Sequence, residues 1–287
     1  MYTEQKYTNS AGLRQVPTPS FVKASRQTHP CDTTVDLGHN VTIGGDSLVI
    51  FAGPCSVEGD NLFRIARSVK ESGASVLRGG AFKPRTSPYA CQGMGKEGLL
   101  LLKQASQELD MPVVTEIVDV RDIDLFLDLD IDIFQIGARN STNYALLKEV
   151  GKTQKPVLLK RGPASTIDEF LLSAEYILSE GNPNVILCER GIRSFESYTR
   201  NTFDIAAIPV LKQLTHLPVI ADPSHATGHA CYVEDMALAS VAARAAGLII
   251  EVHDQPQHAW SDGEQALTPR QLDDCVRKAF AIKNILS

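Results

Sequence analysis

The sequence predicts an α/β protein: a TIM (β/α)8 barrel with a short N-terminal extension and a β-hairpin. Three observations carry this. Eight short apolar runs recur between residues 48 and 253. Each is apolar nearly throughout, as expected of strands covered on both faces. Each is followed by a segment with apolar residues at helical spacing and a polar opposite face. Eight such units over about 240 residues match the size of a closed barrel. An open, doubly wound sheet is the competing architecture, but no G-x-G-x-x-G follows the first run.

Taken in order, residues 1–35 are polar, with Pro17, Pro19 and Pro30 and no sustained periodicity, and read as an extension. Residues 36–287 form the barrel domain. It opens with VTIGGDSLVIF (41–51), where two β-prone runs around Gly44-Gly45-Asp46 signal a hairpin. The predicted strands are 48–53, 75–80, 112–117, 133–137, 156–162, 184–191, 218–225 and 247–253. The predicted helices are 61–72, 95–109, 120–128, 143–150, 166–178, 203–214, 233–246 and 268–285.

Composition narrows the function. Of the 287 residues, 43% are hydrophobic and 22% charged, ordinary values for a globular chain. No run of about 18 apolar residues is long enough to span a membrane, and the start, MYTEQKYTNSAGLRQ, lacks the apolar core of a secretion signal. The net charge of −6 argues against nucleic acid as the main partner. The six cysteines contain no C-x-x-C pair, which suggests reduced thiols in a cytoplasm rather than a disulfide framework.

In barrels of this kind chemistry sits at the C-terminal ends of the strands. Two groups gather there. The first is cationic: Arg78, Lys83, Arg85, Arg139, Lys160 and Arg190. Any one of these is by default a solvated surface residue. Six at one rim of an acidic chain suit a substrate carrying several phosphates or carboxylates. The second group is Cys55, His225 and Glu251, from strands one, seven and eight, which barrel closure makes neighbours. A thiolate, an imidazole and a carboxylate fit Mn2+, Fe2+, Zn2+ or Co2+ better than Mg2+ or Ca2+. Asp262, in the following loop, offers a fourth ligand. Taken alone, Cys55 reads as a small buried hydrophobe and His225 as a hydrogen-bonded structural imidazole. Cys188 reads as core.

The motifs GPCSVE (53–58), LRGGAFKPRTSPY (77–89), QIGARN (135–140), LLKRG (158–162), CERG (188–191), ADPSH (221–225) and IEVH (250–253) together resemble 3-deoxy-D-arabino-heptulosonate 7-phosphate (DAHP) synthases, in particular the type I beta subfamily. The resemblance runs unbroken over about residues 36–287. It implies a transferase that condenses phosphoenolpyruvate with erythrose 4-phosphate and releases phosphate, the first step of the shikimate pathway to aromatic amino acids. It further implies a divalent metal held by Cys55, His225, Glu251 and Asp262, and a homo-oligomer, dimer or tetramer. Arg139, Lys160 and Arg190 would hold the phosphoenolpyruvate phosphate, with Arg78 and Lys83 near its carboxylate and reacting carbons. Arg85 and Thr86 would bind the phosphate of erythrose 4-phosphate. Lys83 would protonate or stabilise the new alkoxide, Glu116 would manage the attacking water, and Asp222 would orient substrate or a ligand.

The alternative within the same barrel is 3-deoxy-D-manno-octulosonate 8-phosphate synthase, which uses arabinose 5-phosphate. Its loop is typically Lys-Ala-Asn-Arg, whereas this chain has Lys83-Pro84-Arg85-Thr86, favouring the tetrose phosphate. More distant rivals are a Schiff-base aldolase on Lys160 and a non-catalytic sugar-phosphate binder. The chain departs from the family pattern at Cys91, where an aromatic is usual, and at Asp254, where a proline is usual. Residues 1–35 are also too few for a regulatory domain, so weak or absent feedback inhibition by aromatic amino acids is expected unless a separate partner supplies it.

Overall fold

The computed structural model describes residues 20–84, 87 and 89–286. Two short strands, β1 (Val35–Asp36) and β2 (Thr42–Ile43), pair antiparallel, with Val35 opposite Ile43. Eight parallel strands follow: β3 (Val49–Gly53), β4 (Val76–Arg78), β5 (Val113–Glu116), β6 (Ile133–Ile136), β7 (Val157–Lys160), β8 (Val185–Glu189), β9 (Val219–Ala221) and β10 (Gly247–Glu251). They close into a barrel in which β10 pairs with both β9 and β3, with Glu251 opposite Gly53.

The helices around it are α1 (Asn61–Glu71), α2 (Lys96–Leu109), α3 (Ile123–Asp128), α4 (Tyr144–Gly151), α5 (Ile167–Ser179), α6 (Ala207–Leu214), α7 (Pro223–Thr227), α8 (Ala230–Ala242) and α9 (Pro269–Leu286). Among them, α5 carries a reciprocal capping box between Thr166 and Glu169.

Two elements differ from expectation. The hairpin turn spans residues 37–41, not Gly44–Asp46. Gly38, His39 and Asn40 all have positive φ there, and Leu37 N–H bonds to Val41 C=O at 2.8 Å. The Gly44-Gly45 pair instead turns the chain from the hairpin into β3. The stretch ADPSH, read as the end of a strand, leaves the strand at Ala221 and starts α7. The Asp222 carboxylate caps it by accepting from the His225 N–H at 2.9 Å, with Pro223 in the first turn. His225 is therefore presented by a helical turn rather than by a strand.

The core has two parts. Apolar residues on the outer strand faces pack under the helices. The lumen is filled by Phe51, Val76, Val114, Ile133, Leu158, Ile186, Ile220 and Ile249, and Val35, Leu37 and Ile43 of the hairpin pack into the same cluster. The described part of the extension also packs onto the body. Phe21 and Ala24 are buried, and the N–H groups of Lys23 and Ala24 both bond to the Glu175 carboxylate of α5 at 2.8 Å.

Candidate active site

Strand side chains alternate faces with period two. Stepping two residues on from each apolar lumen residue therefore gives the next side chain aimed inward. Val76 leads to Arg78, Val114 to Glu116, Ile133 to Gln135, Leu158 to Lys160, Ile220 to Asp222 and Ile249 to Glu251. Ile186 leads through Cys188 to Arg190, and Phe51 through Gly53 to Cys55. The lumen thus changes from hydrocarbon to charge over one step of the pleat. Of these, Cys55, Arg78, Glu116, Gln135, Lys160 and Arg190 line a cavity of about 300 Å3, together with Lys83, Arg139, His225 and Asp262.

Two glycines make the approach possible. Gly53 has φ +151°, and a Cβ there would lie 2.1 Å from the Arg78 carbonyl oxygen. Only glycine lets β3 run this close to β4 before the chain turns to present Cys55. At Gly137 a Cβ would lie 2.0 Å from Glu116 Oε1, so the glycine of QIGARN is the space that the carboxylate occupies.

On one side the cavity gathers metal-ligating chemistry. Ligand atoms of Cys55, Glu251 and Asp262 all lie within 4.8 Å of one another. Cys55 Sγ is 3.1 Å from Asp262 Oδ2, and His225 Nε2 is 3.2 Å from Glu251 Oε1. His225 Nδ1 lies 2.8 Å from Asp222 Oδ2 but off the direction of a hydrogen bond. Cations press in on this group: Lys83 Nζ is 2.8 Å from Cys55 Sγ, and Arg78 Nη1 is 3.0 Å from Glu251 Oε1. Burial, then the Glu251 charge, pushes the Cys55 thiol up to about 12 against the pull of Lys83 and Arg78. A thiol, an imidazole and two carboxylates converging in a buried site form a donor set suited to a borderline divalent cation, which would hold the sulfur as thiolate.

The other side is cationic. Lys160 Nζ lies 2.5 Å from Asp222 Oδ2. Burial alone would raise the Asp222 carboxyl, but His225 and Lys160 hold it well below the usual carboxylate range. Arg139, on the turn after β6, and Arg190 have no hydrogen bond or salt bridge among the described residues. Burial raises the Glu116 carboxyl above its ordinary value, although Lys160, Lys83, Arg139 and Arg78 oppose this.

Residues 26–284 match the family model described as the DAHP synthetase I family. The chain belongs to that family. It is 52% identical over 263 residues to a phospho-2-dehydro-3-deoxyheptonate aldolase of Thermotoga maritima, covering 91% of this chain and 77% of the relative. The crystal structure of the Thermotoga maritima DAHP synthase superposes with a TM-score of 0.91 at 47% identity, over 94% of this chain and 79% of that one. A truncated form of the Thermotoga enzyme gives 0.86 at 46%, over 93% and 98%. More distant is a 2-dehydro-3-deoxyphosphooctonate aldolase of Nitrobacter hamburgensis, 31% identical over 262 residues, covering 84% of this chain and 90% of the relative.

Of the site residues expected for a DAHP synthase, the fold brings together Cys55, Arg78, Lys83, Glu116, Arg139, Lys160, Arg190, His225 and Asp262 around the cavity. Asp222 and Glu251 sit buried directly behind them. Arg85 and Thr86 lie outside the described residues. Arg161 and His253, also at strand ends, face away. Arg161 Nη1 pairs with Glu189 at 2.8 Å and Asp204 at 2.9 Å, and His253 Nε2 lies 3.2 Å from Glu58. Sequence reasoning missed Gln135, Arg193 and Arg200, which also line the cavity. The two-residue step from Ile133 identifies Gln135. Arg193 and Arg200 lie on an irregular loop where no period exists to read.

Proposed function

We propose that the chain is a metal-dependent 3-deoxy-7-phosphoheptulonate synthase of aromatic amino acid biosynthesis. It condenses phosphoenolpyruvate with erythrose 4-phosphate to give DAHP and inorganic phosphate. The observation that carries the reading is the juxtaposition, in one cavity, of a cationic wall with a Cys, His and carboxylate cluster. The substrates bring two phosphates and a carboxylate, and their union needs an electrophilic aldehyde.

Arg139, Lys160 and Arg190 hold the phosphoenolpyruvate phosphate, while Arg78 and Lys83 take its carboxylate side. Arg85 and Thr86 bind the phosphate of the tetrose. Cys55, His225, Glu251 and Asp262 are the residues that would hold Mn2+, Fe2+, Zn2+ or Co2+. Such an ion supplies Lewis-acid polarisation of the aldehyde oxygen. C3 of the enol phosphate bonds to the aldehyde carbon, water adds its oxygen to C2, and the C2–O bond to phosphate breaks. Lys83, beside Cys55, delivers a proton to the new alkoxide. Glu116, at the end of β5, takes the proton of the attacking water, which suits a carboxyl raised by burial. Asp222 orients His225 and Lys160.

The chain has no helix, among the described residues, long and apolar enough to cross a membrane. We place the enzyme in the cytoplasm, acting as a dimer or tetramer, with residues 36–287 as its catalytic unit and 1–35 as an extension. Phosphate release is to be measured with erythrose 4-phosphate and with arabinose 5-phosphate, with and without chelator. Turnover with the tetrose, abolished by EDTA, is expected. Preference for the pentose would instead make the chain an octulosonate synthase. EDTA-resistant turnover with borohydride trapping would point to a Schiff-base aldolase.

A further inference from the structure

One buried amide lies behind the metal-ligand candidates with a geometry that has no other evident use. The tight turn at 263–265 begins at Asp262, which has φ +54°, and Gln265 N–H bonds to the Asp262 carbonyl at 3.2 Å. Across this short turn a single guanidinium nitrogen, Arg200 Nη1, reaches both side chains. Gln265 is only 2% exposed. Its Nε2 donates to Glu251 Oε2 at 2.6 Å, and its Oε1 accepts from Arg200 Nη1 at 3.0 Å. Arginine can only donate, so this contact fixes which end of the amide faces Glu251. Arg200 Nη1 also lies 3.3 Å from Asp262 Oδ1.

The two carboxylates are therefore held in the same way. One oxygen of each, Glu251 Oε2 and Asp262 Oδ1, is taken from behind by Gln265 or Arg200. The other oxygen faces the cluster: Glu251 Oε1 lies 3.2 Å from His225 Nε2 and also accepts from Arg78 Nη1 at 3.0 Å, and Asp262 Oδ2 lies 3.1 Å from Cys55 Sγ. We infer that Gln265, oriented by Arg200, is a positioning residue that sets Glu251 for metal binding, while the same Arg200 nitrogen sets Asp262. The inference rests on the metal-dependent reading above. A hydrogen-bonded partner of this kind fixes the orientation of a ligating carboxylate, and its loss typically weakens metal affinity about 10–100-fold.

The test is Mn2+ affinity of the full chain, stripped with chelator and followed by the electron paramagnetic resonance signal of free Mn2+. Phosphoenolpyruvate affinity is measured alongside on the metal-free protein by calorimetry. Gln265→Met, which keeps the volume, is expected to bind Mn2+ about 10–100-fold more weakly while its phosphoenolpyruvate affinity stays within about twofold. Arg200→Met, at a side chain 38% exposed, guards against misfolding of the buried variant and is expected to weaken Mn2+ at least about threefold through loss of its contacts to both residues. Wild-type Mn2+ affinity in folded Gln265→Met overturns the inference. Equal loss of both ligands in that variant does so too, because it would show general distortion. If Gln265→Met does not fold, unchanged Mn2+ affinity in Arg200→Met overturns it. A wild-type chain that binds no Mn2+, Fe2+, Zn2+ or Co2+ would fail earlier, at the metal reading itself.

Discussion

Glu116 shows how much a single residue's surroundings decide. It sits at the end of β5 with Gln135 Nε2 at 3.4 Å and Gly137 leaving room for it. Burial raises its carboxyl. A folded-state value above the unfolded one means that its favourable contribution to stability is complete below the unfolded value. That contribution is lost as pH rises through the folded value. Glu116→Gln removes the ionisation. The variant should therefore melt higher than wild type near pH 8, and the difference should vanish below about pH 4, where an ordinary glutamate is protonated. Thermal melts across that range check this; a difference independent of pH would contradict it. Turnover should fall by about 10²–10⁴ if the carboxyl manages the water. Gln135, Lys160 and Glu116 were all within reach of a period-two reading of their strands. The raised carboxyl was not, because it depends on what closes over it.

At the scale of elements, the strand ends work as alternating pairs. In LLKRG, Lys160 faces the cavity and Arg161 faces out; in CERG, Arg190 faces the cavity and Glu189 faces out. The outward pair locks the inward one. Arg161 Nη1 reaches Glu189 Oε2 at 2.8 Å and Asp204 Oδ2 at 2.9 Å, and its Nε reaches the Ser165 carbonyl at 3.0 Å. The Glu189 Oε1 accepts from Gly191 N–H at 2.7 Å. One guanidinium thus ties β7, β8 and the far end of the loop that carries Arg193 and Arg200. Arg161→Met strands a fully buried Glu189 charge and should cost about 3–5 kcal/mol in chemical denaturation. Adding Glu189→Met should recover most of that loss. Failure of the double variant to recover would show that the pair is not coupled. A second clasp holds the loop after β10. Glu58 accepts from Trp260 N–H at 2.7 Å and lies 3.2 Å from His253 Nε2, and the hydroxyls of Ser56 and Ser261 meet at 2.8 Å. The residues just past Cys55 therefore anchor the loop that delivers Asp262.

At the scale of the molecule, the candidate ligands just past β3, on α7, on β10 and in the loop beyond it meet only when the barrel is closed. A metal bound there favours the folded state, since the unfolded chain holds no such cluster. Divalent metal at about 100 times its Kd should raise stability by about 2.7 kcal/mol, and EDTA should reverse the gain. Cys55→Ala should show a much smaller metal-dependent shift in Tm. An equal shift in that variant would remove the thiol from the ligand set.

Much of the molecule follows from local pattern. The eight apolar runs and their helical partners dictate the barrel because strands covered on both faces have no polar alternation, and a closed sheet hides its edges. The same parity identifies which polar side chain tops each lumen stack. The helical turn that carries His225, the residues 37–41 turn of the hairpin and the contacts of Arg200 and Gln265 followed from no period. They were decided by chain ends meeting across the barrel mouth, where residues distant in sequence satisfy one another's charges and hydrogen bonds. Cys55 marks the boundary between the two kinds of information. Its strand and its inward parity are local facts. Its proposed role as a ligand rests on Glu251 and Asp262, about 200 residues away, being brought to it when the last strand pairs with the first.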